Sequence, residues 1–130
     1  MNKTLDLAIL FSALADPTRL RLLNLMNGRE VCVCYFVQIL RQPQPKISRH
    51  LAYMRKAGIV SARRDGKWMH YSITVPHNKE AASILRATLG VLAGQKRMQA
   101  DSSCLNRACC RPQRFRLTGA PVPSGEEIAH

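Results

Sequence analysis

One stretch narrows the fold more than any other. Pro45 opens a helix that ends near Gly58, and its side chains sort by character around the axis. At about 100° per residue, Ile47, Leu51 and Met54 fall within about 60° of one another and form an inward stripe. Lys46, Arg49, Tyr53 and Lys56 gather on the opposite face. Ser48 and Arg55 flank that face on one side and His50 on the other. A short helix over 34–41, with Tyr35, Phe36, Ile39 and Leu40 as its apolar content, comes just before, separated by the break Gln42-Pro43-Gln44. A helix with an apolar back and a basic face, joined to its predecessor by a short turn, is what reading a DNA major groove requires.

The flanking segments complete a pattern. Residues 60–64 and 69–73 alternate in polarity, and Asp65-Gly66 supplies a turn that tolerates positive φ. Arg63, Arg64, Lys67 and His70 decorate this hairpin, which suits a wing gripping the phosphate backbone. Upstream, residues 5–15 form a helix that is apolar almost all round and so seeks burial, against a partner subunit. Asp16 caps the next helix, about 17–27, with Pro17 at its first position and Gly28 as its stop. There Leu22, Leu23 and Met26 point inward, while Arg19 and Arg21 point out. A fifth helix follows from about residue 78 to 98, with a broad apolar face from Ile84 to Leu92. The expected class is mainly α (α+β): a winged helix-turn-helix with a two-stranded wing and terminal dimerisation helices. Residues 1–98 make the DNA-binding and dimerisation domain, and 99–130 a mostly flexible tail rich in Cys, Arg and Pro.

Charge agrees with this arrangement. Among 130 residues, Lys and Arg number 20 against 8 acids, a formal net charge of +12. Between Arg41 and Tyr71 the basic residues face Asp65 alone. Such clustering calls for a polyanion, and with the helix-turn-helix pattern that polyanion is double-stranded operator DNA. Lys46, Ser48 and Arg49 lie near the start of the reading helix, placed for base edges and adjacent phosphates; Gln44 joins the DNA-binding set and His50 flanks that face. Lys56, Arg63, Arg64 and Lys67 suit phosphates, and Tyr53 suits either the sugar–phosphate or the core. No apolar run approaches the roughly 18–20 residues of a membrane span. Ala13-Leu14-Ala15 imitates a signal-peptidase site, but Asp6 and the helix start at Asp16-Pro17 argue against export. A cytoplasmic protein keeps its five cysteines reduced. No nucleophile–base set, phosphate loop or carboxylate pair suggests an enzyme, and no organic cofactor is implied.

Cys32-Val33-Cys34 lies about a dozen residues ahead of the reading helix. Two thiols one residue apart make a claw for a soft ion. On a regular helix, residues i and i+2 point about 200° apart, so their sulfurs cannot converge. Either Cys32 precedes the helix or metal binding unwinds its first turn; the second is the favoured expectation. Cys104, Cys109 and Cys110 form a second group beside Arg107 and Arg111, whose charge favours thiolate.

These motifs together resemble the ArsR/SmtB metalloregulators over about residues 5–95. Glu30-Val31-Cys32-Val33-Cys34-Tyr35-Phe36 is similar to the family's cysteine box, and Gln44-Pro45-Lys46-Ile47-Ser48-Arg49-His50-Leu51 to its recognition-helix motif. Asp16-Pro17-Thr18-Arg19 and Gly66-Lys67-Trp68-Met69-His70-Tyr71 match further signatures. The resemblance implies a homodimeric repressor that leaves its operator when an inducer binds. The box implies trivalent arsenic or antimony, As(III) or Sb(III), held by Cys32 and Cys34. Two positions depart from the family. Tyr35 stands where Asp is usual, and Val37 where many arsenic sensors have a third cysteine. Cys104, Cys109 or Cys110 then supplies the third thiolate, or the three form a separate site. His77 has only Glu80 nearby, so the zinc site of relatives is not expected. The extra N-terminal cysteines of cadmium and lead sensors are missing before Cys32. Alternatives on the same scaffold are a thiol-redox or persulfide sensor, a Cd/Pb/Zn sensor and a constitutive architectural DNA binder.

Overall fold

The structure, a computed structural model, describes residues 6–110, 121–122 and 124–125. Chain order is α1 (Leu7–Leu14), α2 (Pro17–Met26), β1 (Arg29–Cys32), α3 (Val33–Leu40), α4 (Gln44–Lys56), β2 (Val60–Asp65), β3 (Trp68–Ile73), α5 (Lys79–Ala93), α6 (Lys96–Cys110) and β4 (Ser124–Gly125). The helices enclose one core, and the antiparallel sheet runs β2-β3-β1-β4. This is the winged helix-turn-helix expected from the sequence.

Local chemistry fixes the element ends. Asp6 and Asp16 accept from the backbone N–H three residues on, at 3.2 and 3.0 Å, and so cap α1 and α2. Arg41 ends α3 in the left-handed region at φ 54°. That conformation costs a non-glycine residue about 1 kcal/mol or more, and the Arg41 N–H closes the helix onto the Val37 carbonyl at 3.0 Å. It sets the angle at which α4 leaves α3. In the wing, Asp65 pairs with Trp68, so the loop is Gly66-Lys67, and Gly66 takes φ 60°.

The structure adds a strand beside the two-stranded wing and corrects several expectations about the helices. The sheet has more than the two wing strands, because β1 pairs with β3 through Val31↔Tyr71 and Cys32↔His70. A four-residue strand that switches directly into a helix leaves too little alternation to be seen in sequence. The helix expected over 78–98 is broken at Gly94, whose N–H closes onto Val91 and Leu92 carbonyls. The tail expected from residue 99 is helical as far as Cys110, within α6. Met98, Leu105 and Ala108 recur at helical spacing and are buried. Asp101 shares that face and is also buried, its carboxylate forked by Arg21 at 2.7 and 2.9 Å. A polar residue on the inward face, matched by an arginine on α2, disguised both partners as surface residues. Arg21 therefore points into the α2–α6 seam rather than outward. Asn24 reinforces the seam, donating to the Met98 carbonyl at 2.9 Å. Among the described residues, no helix is long and apolar enough to cross a membrane.

Candidate DNA interface and thiol pair

Helix α4 presents the two faces its sequence requires. Ile47, Leu51 and Met54 are fully buried. Gln44, Lys46, Arg49, Tyr53 and Lys56 are exposed, and Ser48 and His50 are half-buried at the flanks. Arg64 and Lys67 are exposed on the wing, and the Lys67 ammonium lies over the Trp68 ring, 5.1 Å from its centre. Exposed cations thus stand on both α4 and the wing tip, a distribution suited to a groove and its flanking phosphates.

Three side chains of this region are tied inside the protein. Arg63 is exposed but forks onto Glu30, with its closest contact at 2.7 Å. His70, expected on the wing surface, is buried. Its Nδ1 lies 4.0 Å from Glu30 and its Nε2 3.9 Å from Asp65. Strand pairing explains this: β3 is an inner strand of the sheet, and His70 lies directly across from buried Cys32 on β1. Arg19, expected to point out, folds back over Tyr53 and toward His50. Burial depresses the His50 pKa, and the Arg19, Lys46 and Arg49 charges add to that effect, while Asp16 opposes it.

The thiol pair resolves the geometric conflict in the sequence. Cys32 is the last residue of β1 and the N-cap of α3, with extended backbone at φ −70°, ψ 142°. Cys34 is already helical. Because the first residue is off the helix, the two sulfurs converge to 3.0 Å. The favoured expectation, that the first turn must unwind, is corrected: Cys32 precedes the helix proper. Cys32 is fully buried and Cys34 half-buried, and both are free thiols.

Proximity splits their acidities. The Cys34 thiol donating to Cys32 is the main influence that lowers the Cys32 pKa, to about 7, against the opposing effect of burial. Cys32 makes no regular capping hydrogen bond. The neighbouring amides of Cys34, Val33 and Met69 nonetheless favour its thiolate. Cys34 is pushed up, because it shares its proton with Cys32, is partly buried and faces the neighbouring thiolate. The pair therefore gives up one proton more readily than the other. The Met69 amide belongs to the wing strand β3, so the Cys32 sulfur touches the wing as well as α3.

Cys104 lies on α6, half-buried against the same core as Cys34. Among the described residues, no three His, Cys, Asp or Glu side chains are assembled to hold a metal ion. Cys104 is thus not brought into one ligand set with the pair. The side chains of Cys109 and Cys110 lie outside the described residues. The roles of Glu30 and Arg19 were missed in sequence, although both stand inside quoted motifs; their i-to-j separations of 33 and 31 residues carry no periodic signal.

Comparison with known proteins agrees with this architecture. Residues 16–62 match the family described as bacterial regulatory protein, arsR family. The chain is 37% identical over 114 residues to the arsenic resistance transcriptional regulator ArsR1 of Pseudomonas putida, covering 87% of this chain and 88% of that protein. It is 49% identical over 69 residues to the arsenical resistance operon repressor of Escherichia coli, covering 52% of this chain and 58% of that one. Among solved structures, the transcriptional repressor BigR from Xylella fastidiosa superposes with a TM-score of 0.54 at 30% identity, covering 68% of this chain and 88% of that chain. The chain belongs to the arsR family of transcriptional repressors, which are DNA-binding regulators and not enzymes.

Proposed function

We propose that this repressor acts as a homodimer and leaves its operator when trivalent arsenic or antimony binds the thiolates of Cys32 and Cys34. The observation that carries this reading is the 3.0 Å approach of the two sulfurs at the joint between β1, α3 and the wing. A soft ion is the ligand class for such a pair, and one of its two protons is already poised to leave near neutral pH. The similar arsenic and arsenical regulators of Pseudomonas putida and Escherichia coli point to the same metalloid class.

Ligand binding at this joint acts on both reading elements. Pulling the sulfurs toward an ion moves the N-terminus of α3, which packs on α4, and loosens the Cys32 contact with β3. Two reading heads must match one rigid operator, so a small tilt in each suffices. A hundredfold loss of affinity needs a coupling of only about 3 kcal/mol. In the bound state, Gln44, Lys46, Ser48 and Arg49 face bases and nearby phosphates, with His50 and Tyr53 beside them. Lys56, Arg64 and Lys67 hold phosphates. Leu7 and Phe11 on α1 and Val91 on α5 are exposed apolar side chains that a second subunit covers. The third thiolate comes from the group Cys104, Cys109 and Cys110; Cys104, on a helix that packs against α3, would have to move toward the pair to bind the ion.

Titrating arsenite into the reduced protein bound to labelled operator DNA tests this reading. Release with saturation near one ion per protomer is expected, and weaker binding after Cys104→Ser. Persistence of the complex at saturating arsenite contradicts it. The same sulfur contact favours one second reading, oxidation or persulfidation of the pair. In that case oxidant alone releases the DNA, and arsenite does not.

A further inference from the structure

Arg19 gathers three helices with one guanidinium. Its Nη2 donates to the Ser12 carbonyl at 2.7 Å and its Nε to the Ala13 carbonyl at 3.2 Å. Both carbonyls lie in the last turn of α1, where the helix end attracts positive charge; the Ser12 carbonyl also accepts from the Ala15 N–H at 3.2 Å. Its Nη1 lies 3.3 Å from His50 Nδ1, and its Cζ lies 4.5 Å from the centre of the Tyr53 ring. His50 and Tyr53 are three residues apart on α4, so they form one ridge on its flank.

We propose that Arg19 is a positioning residue for operator recognition, fixing the rotation of the reading helix α4 against α1. The buried stripe of Ile47, Leu51 and Met54 holds α4 on the core, but an apolar stripe resists rotation about the helix axis weakly. The ridge of His50 and Tyr53 is held by directed contacts. Rolling α4 breaks the His50 bond and unstacks Tyr53, while the carbonyls of Ser12 and Ala13 anchor the guanidinium from the other side. The same roll would swing Lys46, Ser48 and Arg49 off the bases they face. Arg19 is half-buried and its three nitrogens are engaged within the protein, so it serves recognition without touching a phosphate. Because Arg19 only donates, His50 accepts at Nδ1 and carries its proton on Nε2. Lysine cannot replace this: its single ammonium lacks the planar fork and the flat face that stacks on a ring.

The test uses the full-length protein, its Arg19→Lys and Arg19→Met variants, and two duplexes. One duplex is selected by the wild type from a random library; the other is a scramble of equal length. Anisotropy titrations are run across a salt series. Arg19→Lys is expected to lose about tenfold in affinity for the selected duplex, Arg19→Met to lose more, and both to bind the scramble as the wild type does. The salt dependence stays unchanged, because no phosphate contact is removed. Equal losses on both duplexes with a salt slope smaller by about one would make Arg19 a phosphate ligand and overturn the proposal. Wild-type affinity of Arg19→Lys for the selected duplex would overturn it too. Imidazole nitrogen shifts give a reading without DNA, should Arg19→Met fail to fold: in Arg19→Lys, His50 is expected to lose its preference for the Nε2–H tautomer. An unchanged tautomer contradicts the proposal.

Discussion

The sulfurs of Cys32 and Cys34 lie 3.0 Å apart because the helix begins between them. Cys32 belongs to a strand paired with the wing, and Cys34 to the first helix of the reading motif. One thiol pair therefore touches a wing strand and the helix that packs on the reading helix α4.

The pair should titrate unequally. Thiolate ultraviolet absorbance should show one proton lost near pH 7, well below the ordinary thiol value of 9.0. Since Cys34 is the main cause, Cys34→Ala should return Cys32 toward that ordinary value. A first thiol titration near 9.0 in the wild type contradicts the shared proton.

Stability should depend on pH through His50. Burial and the surrounding cations depress its pKa in the folded protein below the ordinary 6.5. The unfolded chain then binds the proton first, so the folded state holds its advantage above pH 6.5 and loses it as pH falls through the depressed value. Urea unfolding from pH 7.5 down to 5 should show this loss, and His50→Asn should flatten it. Equal slopes in the two proteins would remove His50 as the cause.

The α2–α6 seam rests on Arg21 and Asp101, whose side chains are 15% and 8% exposed. Removing one partner strands the other charge. Arg21→Ala should cost about 2–3 kcal/mol in urea unfolding, somewhat below the cost for a fully buried pair. The paired change Arg21→Met with Asp101→Leu should restore most of that loss. An unaffected single variant would mean that α6 is not held by this pair.

Glu30 competes with DNA for Arg63. With Arg63 forked onto Glu30, Arg63→Ala should leave the salt dependence of DNA binding unchanged, whereas Lys67→Ala should lower its slope by about one. Glu30→Gln frees the guanidinium and should steepen the slope by about one. A shallower slope in Arg63→Ala would show that Arg63 leaves Glu30 for a phosphate in the complex.

The reading helix and the wing were legible because their chemistry is periodic and local. The stripe of Ile47, Leu51 and Met54 repeats at helical spacing, and Asp65-Gly66 marks a turn within a few residues. Capping by Asp16 and Pro17 was equally local. The thiol pair was visible, but its convergence was not, since β1 is too short to announce the change from strand to helix at Cys32. Helix α6 was hidden by Asp101, a charge on the inward face that makes sense only with Arg21 on another helix. The contacts of Arg19 and Glu30 and the burial of His70 depend on tertiary neighbours that no spacing encodes. Val37, where the family resemblance implies a third cysteine, marked a missing ligand without naming its replacement.

The measurement closest to the central claim compares the reduced wild type with Cys32→Ala/Cys34→Ala on the same labelled operator while arsenite is added. The account predicts that both proteins bind DNA before addition and that arsenite releases only the wild type. Release of the double variant at the same arsenite concentration, or retention of both, would contradict it.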